Sequence, residues 1–296
     1  MKNLLVSFSG GETSAYMGQW LKRHYKELGY ENIVFVFANT GLENEQTLEF
    51  VDKCDKHFGL NVHWVEAKVI FHAGVGTTYT ITNFENANRN GYVFEQFIKK
   101  YGIPNQASPQ CSKELKQTPI RAFCKDYFKT EKYDTAIGIR KDEFDRMNAE
   151  RKKLRIIYPL IDPKMLPATK PMVNFFWKQM PFRLNLKGYQ GNCATCWKKS
   201  DKKLWQIAKE SPEKFDFMAR MEQEYGDYFP PQRVERYNKE GKPIPQNIKF
   251  FRGERSVQDI LRESKNFNGI VKNDAENYAI QKELFEDESC DIYTKC

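Results

Sequence analysis

The chain has 296 residues, 40% hydrophobic and 29% charged, with a formal net charge of +8, a balance suited to a globular protein with one sizeable core and room for a smaller second domain. No apolar run approaches the roughly 18 residues of a membrane span, and "LLVSF" is too short for a signal-peptide core, so a cytoplasmic protein with no membrane partner is expected. Seven unevenly spaced cysteines favour free thiols, a metal centre or redox chemistry over a disulfide framework, while the positive charge admits nucleotides, sulfated compounds and nucleic acids without choosing among them.

In chain order, residues 2–8, 31–41 and 60–68 read as three short strands rich in Val, Ile, Phe or Trp. Between them, Met17, Trp20, Leu21, Tyr25 and Leu28 recur at helical spacing, as do Leu48, Val51, Cys54 and Phe58. Residues 70–92 lose periodicity and read as a long loop. A helical pattern returns with Ile120, Phe123, Cys124 and Tyr127, and residues 133–140 and 155–160 supply a fourth and a fifth strand. Strands alternating with helices predict an α/β fold, an open parallel five-stranded sheet with helices on both faces. The prolines of "IDPKMLPATKP" mark a boundary: residues 1–165 are expected to form the nucleotide-binding domain, and residues 166–296 a mostly helical region ending in a flexible tail.

The first strand-to-helix corner, "SFSGGETSAYM", is the most informative stretch. In a parallel sheet, ligands bind beyond the carboxyl ends of the strands, where helix N-termini present unpaired N–H groups. Gly10 and Gly11 allow close backbone approach to a phosphate, and Ser7, Ser9, Thr13 and Ser14 can add hydroxyl donors; the plainer alternative makes Thr13 a helix N-cap after a glycine turn. The loop is neither a Walker A sequence nor GxGxxG. At the end of the second strand, "FANTGLENEQTLEF" sets Asn39, Thr40 and Gly41 where the adenosine end of a nucleotide would lie, with Glu43 opening the next helix.

"SFSGGETS" followed by "NTGLENEQTLEF" resembles the PP-loop superfamily, and within it the phosphoadenosine phosphosulfate (PAPS) reductase family. "CSKELKQTPIRAF", "AIGIRKDEFDRM", "YPLID" and "GYQGNCATCWKK" resemble further segments of that family, and "FFRGERSVQDIL" resembles a segment of its bacteriophage-type members. The resemblance implies that Gly138 and Arg140 approach the nucleotide and that Cys111 lies beside the CxxC of Cys193 and Cys196. Three such thiolates could hold a [4Fe–4S] cluster, as in PP-loop sulfurtransferases, with structural zinc or a metal-free thiol set as the alternatives. Adenylylsulfate reductases carry adjacent cysteines at the first segment, whereas Gln110 precedes Cys111 here.

Cys54 and Cys124 read as small core residues, and the four histidines show no metal-ligand spacing. PAPS reductases carry a nucleophilic cysteine in an ECGxH motif near the chain end; Cys290 and Cys296 lack that context, and the acidic neighbours of Cys290 should raise its thiol pKa. The resemblance implies an enzyme that binds ATP or adenylyl sulfate. Its chemistry is either ATP cleavage with Mg²⁺, activating a nucleic-acid or nucleotide acceptor for sulfur transfer, or reduction of a sulfonucleotide. Arg140, Lys141 and Arg146 would hold a second anionic group, Arg140, Cys111, Cys193 and Cys196 would carry the chemistry, and a sulfur- or electron-donor protein would serve as partner. A nucleotide-binding module without chemistry is the rival, with "RKDEFDRMNAERKKLR" as either its polyanion surface or a solvated helix; an oligomer is allowed.

Overall fold

The computed structural model describes residues 2–72, 74–191 and 193–278; the expectations for Cys290 and Cys296 lie outside them. Six strands form one sheet: β1 (Asn3–Ser7), β2 (Asn32–Asn39), β3 (Val62–Val69), β4 (Thr77–Thr82), β5 (Asp134–Ala136) and β6 (Ile156–Ile157). Their order is β4-β3-β2-β1-β5-β6, with every pairing parallel except β3 with β4.

The fifth-strand limit of the sequence reading is thus corrected to six. The added strand, β4, lies inside the stretch read as a loop, and it pairs antiparallel with β3 from Trp64↔Thr82 to Val69↔Thr77. A short return is enough to reverse direction, whereas a parallel neighbour needs a crossover. As an edge strand β4 leaves Thr80 and Ile81 exposed, so it lacks the apolar run that marks the buried strands.

Those buried strands alternate faithfully between two faces, as a period of two requires. Leu4, Val6, Phe8, Phe35 and Phe37 face a core with helices α1 (Glu12–His24) and α2 (Glu45–Phe58), while Leu5, Val34, Val36 and Ala38 meet Ile120, Phe123 and Cys124 on the other side. Helix α3 (Tyr92–Tyr101) and α4 (Thr118–Phe128) follow. A π-helical segment, Lys113–Gln117, leads into α4; such segments are rare and frequent at functional sites.

The later helices are α5 (Lys170–Lys178), α6 (Asp201–Glu210), α7 (Asp216–Tyr225), α8 (Pro231–Lys239) and α9 (Val257–Asn266). Val173 and Trp177 of α5 enter the same core as α1 and α2. Leu204, Ile207, Met218, Met221, Val257 and Ile260 of α6, α7 and α9 pack with α3, Cys111 and Leu115. Among the described residues, no helix is long and apolar enough to cross a membrane.

Candidate functional site: a cationic cleft beside a thiol pocket

From β1 the chain adds β2 and β3 on one side, then returns to place β5 on the other, so β1 and β5 flank the point where strand order reverses. Crevices at such points take ligands in open α/β sheets. Here the segment after β1 and the segment after β5 line a cleft of about 140 Å³, with Ser9, Gly10, Gly11, Glu12, Thr13, Gly138 and Arg140 on its walls.

Gly10 takes φ +78°, and a Cβ there would lie 2.7 Å from Thr47 Cγ2 and 3.1 Å from Phe37 Cε2, so the turn is available to glycine alone. Helix α1 starts from Gly11, with no side chain capping it; the expected alternative of Thr13 as the cap is not what the fold uses. Ser14 Oγ donates to Gly11 O at 2.9 Å and accepts from Ser9 Oγ at 3.0 Å, bracing the loop from within. Gly138 matters for closeness: a Cβ there would stand 3.3 Å from Ser14 Cα. Ser7 is buried at the end of β1, and neither it nor Ser14 lines the cleft.

The cleft gathers cations from distant parts of the chain. Arg140 is 5% exposed, its Nη1 donating to Thr13 Oγ1 at 3.0 Å, and it pairs with Glu143 at 3.2 Å and Asp142 at 3.3 Å. Arg146 pairs with the other oxygen of Glu143. Lys170, from the start of α5, and Lys187 complete the basic wall. The acidic Glu12, within the loop itself, is 6% exposed and held by Arg183 Nε at 3.0 Å, while Trp177 Nε1 donates to Glu12 O at 2.9 Å. Thr47, also on the wall, is 2% exposed and its hydroxyl has no hydrogen-bond partner. Sequence reasoning missed Thr47, Lys170 and Lys187, because nothing in their local spacing signals a wall built from three separate helices and turns.

The NTG segment lies elsewhere. Asn39, fully buried, donates through Nδ2 to Glu66 Oε1 at 2.6 Å and Asn88 O at 2.8 Å, and accepts from Gly41 N at 3.2 Å. Glu43 does not open α2, which starts from Asn44; its carboxylate instead accepts from Thr40 N and Oγ1, both at 2.9 Å. None of Asn39, Thr40, Gly41 and Glu43 lines the cleft. They secure the CxxC segment: Glu43 bridges to Cys193 through the backbone, Ala194 N donates to Leu42 O at 3.1 Å, and Thr40 Oγ1 lies 3.5 Å from Cys193 Sγ.

Cys111, Cys193 and Cys196 line a second pocket, with Thr40, Lys116 and Trp197. Gly191 lines the cleft and Cys193 the thiol pocket. Two residues span at most about 7.6 Å between Cα atoms, so the two cavities adjoin. Cys111 is 82 positions before Cys193 in the chain, and the fold sets both on the wall of this one pocket. Buried Lys199 holds the connecting turn, its Nζ donating to Tyr189 O at 3.1 Å and Gly191 O at 2.6 Å. Burial pushes the Cys193 thiol up to about 12; nearby Lys116 opposes that rise and Glu43 adds to it.

Among the described residues no three His, Cys, Asp or Glu side chains converge closely enough to hold a metal ion, and the thiol pocket offers about 30 Å³, room for roughly one or two waters. As these side chains stand, the pocket presents neither a [4Fe–4S] nor a zinc site. Cys54 and Cys124 are fully buried core thiols, as expected, both driven upward in pKa chiefly by burial.

Residues 3–158 match the phosphoadenosine phosphosulfate reductase domain family. An uncharacterized nin region protein of Escherichia phage lambda is 32% identical over 209 residues, which cover 70% of this chain and 69% of that protein. An uncharacterized protein of Methanocaldococcus jannaschii is 29% identical over 151 residues, 51% of this chain but 25% of its own length. With the glycine corner, the Arg140 segment and the open sheet all in place, the chain belongs to the phosphoadenosine phosphosulfate reductase family and carries that family's nucleotide-binding PP-loop domain.

Proposed function

We propose that the cleft binds the phosphates of an adenine nucleotide, and that the protein is an enzyme cleaving ATP between its α- and β-phosphates to activate a nucleotide or nucleic-acid acceptor for sulfur transfer. The observation that carries this reading is the uncapped N-terminus of α1 opening into a cleft walled by Arg140, Arg146, Lys170 and Lys187. Backbone N–H groups and a helix end pointing at a bound anion are the usual physical basis of phosphate sites.

In this reading an acceptor oxygen attacks the α-phosphorus and pyrophosphate departs as the new adenylate forms. Charge on the departing pyrophosphate is met by the loop amides and the cationic wall, whose arginines Glu143 holds in place. Glu12 and Glu143 are each held by an arginine, so Mg²⁺ would arrive on the nucleotide's own phosphates rather than on a protein carboxylate. A sulfur donor then displaces AMP from the activated carbon. The thiols beside the cleft supply the place where that sulfur is handed over.

The same adjacency favours a second reading, reduction of an adenylyl sulfate by the pocket thiols: one thiol takes the sulfo group as AMP leaves, and a second thiol then attacks that first thiol's sulfur, releasing sulfite as a disulfide forms. One experiment separates them. Purified protein, kept reduced and free of oxygen, is offered ATP with candidate acceptors, and separately adenylyl sulfate with a dithiol. Pyrophosphate release that depends on acceptor supports ATP activation; sulfite release supports the reductase; nucleotide binding with neither product leaves a binding module.

A further inference from the structure

Residues 140–155 were open to two readings, a solvated helix or a polyanion surface, and the structure removes the helix. The segment folds as a 3₁₀ turn, Lys141–Arg146, followed by non-helical turns that lead into β6. It has two sides. Its buried side sends Arg140, Glu143 and Arg146 into the cationic cleft. Its outer side exposes Phe144, at 58%, with Lys141, Arg151 and Lys152.

Seven basic and four acidic side chains occupy these sixteen positions, a net of +3. Arg155 is committed to Asp134 and Lys153 to Glu150. Lys141, Arg151 and Lys152 enter no ion pair among the described residues, while Asp145 and Glu150 are the exposed acids beside them. Helix α5 starts beside this segment, its Lys170 N donating to Asp142 Oδ1 at 3.2 Å, and exposes Met172 by 45% and Phe175 by 58%. An exposed aromatic ring among unpaired cations matches a chain of phosphates with accessible base faces. A duplex keeps those faces stacked inside, so the match is to single strands.

We propose that the outer side of residues 140–155 docks single-stranded nucleic acid, with Phe144 stacking on a base and Lys141, Arg151 and Lys152 meeting phosphates. The strand is thereby led to the mouth of the cleft. The inference names the acceptor class for the proposed nucleotide chemistry and so rests on that reading, but binding is measurable without turnover.

The test uses the full chain and fluorescence anisotropy of end-labelled 20-nucleotide RNA and DNA strands of one sequence, with the corresponding duplex, over a series of KCl concentrations. A single strand of either sugar should bind more tightly than the duplex. The triple variant Lys141→Ala, Arg151→Ala, Lys152→Ala should reduce the slope of log affinity against log salt by about 2, at ~0.7 per phosphate contact. Phe144→Ala should weaken binding about tenfold and leave the slope unchanged. ATP affinity should persist in both variants: Arg140 and Arg146 line the cleft, but Lys141, grouped with them on sequence, is exposed outside it, as are Phe144, Arg151 and Lys152. Equal affinity for duplex and single strand, no binding by the wild type, or variants that bind as it does would overturn the proposal; in each case the ATP titration reports separately on the cleft.

Discussion

At the scale of single residues, the cleft is built from side chains that are either spent on one another or held back. Arg140 and Glu143 are mutually bound, and Glu12 is neutralised by Arg183. Thr47 is different: a buried hydroxyl without a partner carries a desolvation cost in the free protein. Thr47→Val should therefore raise the stability of the free protein by about 1 kcal/mol while lowering nucleotide affinity by about two- to tenfold, the worth of one hydrogen bond. Denaturant unfolding and calorimetric titration of the same variant check the two signs; a loss of stability without loss of affinity would assign Thr47 to packing. Gly10 and Gly11 were legible as a candidate phosphate loop from local chemistry, whereas Arg140 was legible only through the family resemblance. Thr47, Lys170 and Lys187 were not, since their place in the cleft depends on how α2, α5 and the turn after α5 pack, which no local pattern encodes.

At the scale of elements, strands buried on both faces announced themselves through continuous apolar runs, and β1, β2 and β3 fall where those runs lie. The edge strand β4 did not, because "TTYTIT" is polar on an exposed edge and its neighbours are glycine and asparagine. The NTG segment shows the converse: its motif was plain, yet its side chains tie β2 to Asn88 and the CxxC segment instead of lining the cleft. Helix α9 shows how much a single cap can carry. Ser256 accepts from Asp259 N, and the Asp259 carboxylate accepts from Ser256 Oγ at 2.7 Å and Ser256 N at 2.9 Å. Those Ser256 donors, the hydroxyl first, with Arg262 beside them, hold the Asp259 carboxyl at about 2. The folded value lies below the ordinary one of about 3.9, so the contribution is full above about pH 4 and is lost as pH falls from there towards 2. Ser256→Ala should cost about 1 kcal/mol at neutral pH and flatten the stability–pH curve in that acid window, measured by urea unfolding; an unchanged curve would show that the cap does not stabilise α9.

At the scale of the whole molecule, the sequence divides near residue 165 by composition, but packing runs across that line. Ala168, Val173 and Trp177 complete the core over α1 and α2, and residues of α6, α7 and α9 bury Cys111 and α3. A chain ended after residue 165 would expose both cores. Loss of Trp177 contacts alone is worth about 3–5 kcal/mol, so the shortened chain should show no cooperative thermal transition and should bind dyes that report exposed apolar surface. A sharp transition near that of the full chain would mark residues 1–165 as a self-sufficient domain. The same packing explains the site: the later helices bring Lys170, Lys187, Arg183 and the CxxC segment to a corner that the first hundred and forty residues begin.

The central claim is that this corner grips nucleotide phosphates, and calorimetric titration with ATP, AMP and adenosine tests it most directly, on the wild type and on Arg146→Ala with Lys187→Ala. ATP should bind at least about tenfold more tightly than adenosine, with AMP between them, and the two substitutions should close most of that gap while leaving adenosine affinity in place. Equal affinities for ATP and adenosine, or a gap untouched by loss of both cations, would contradict it.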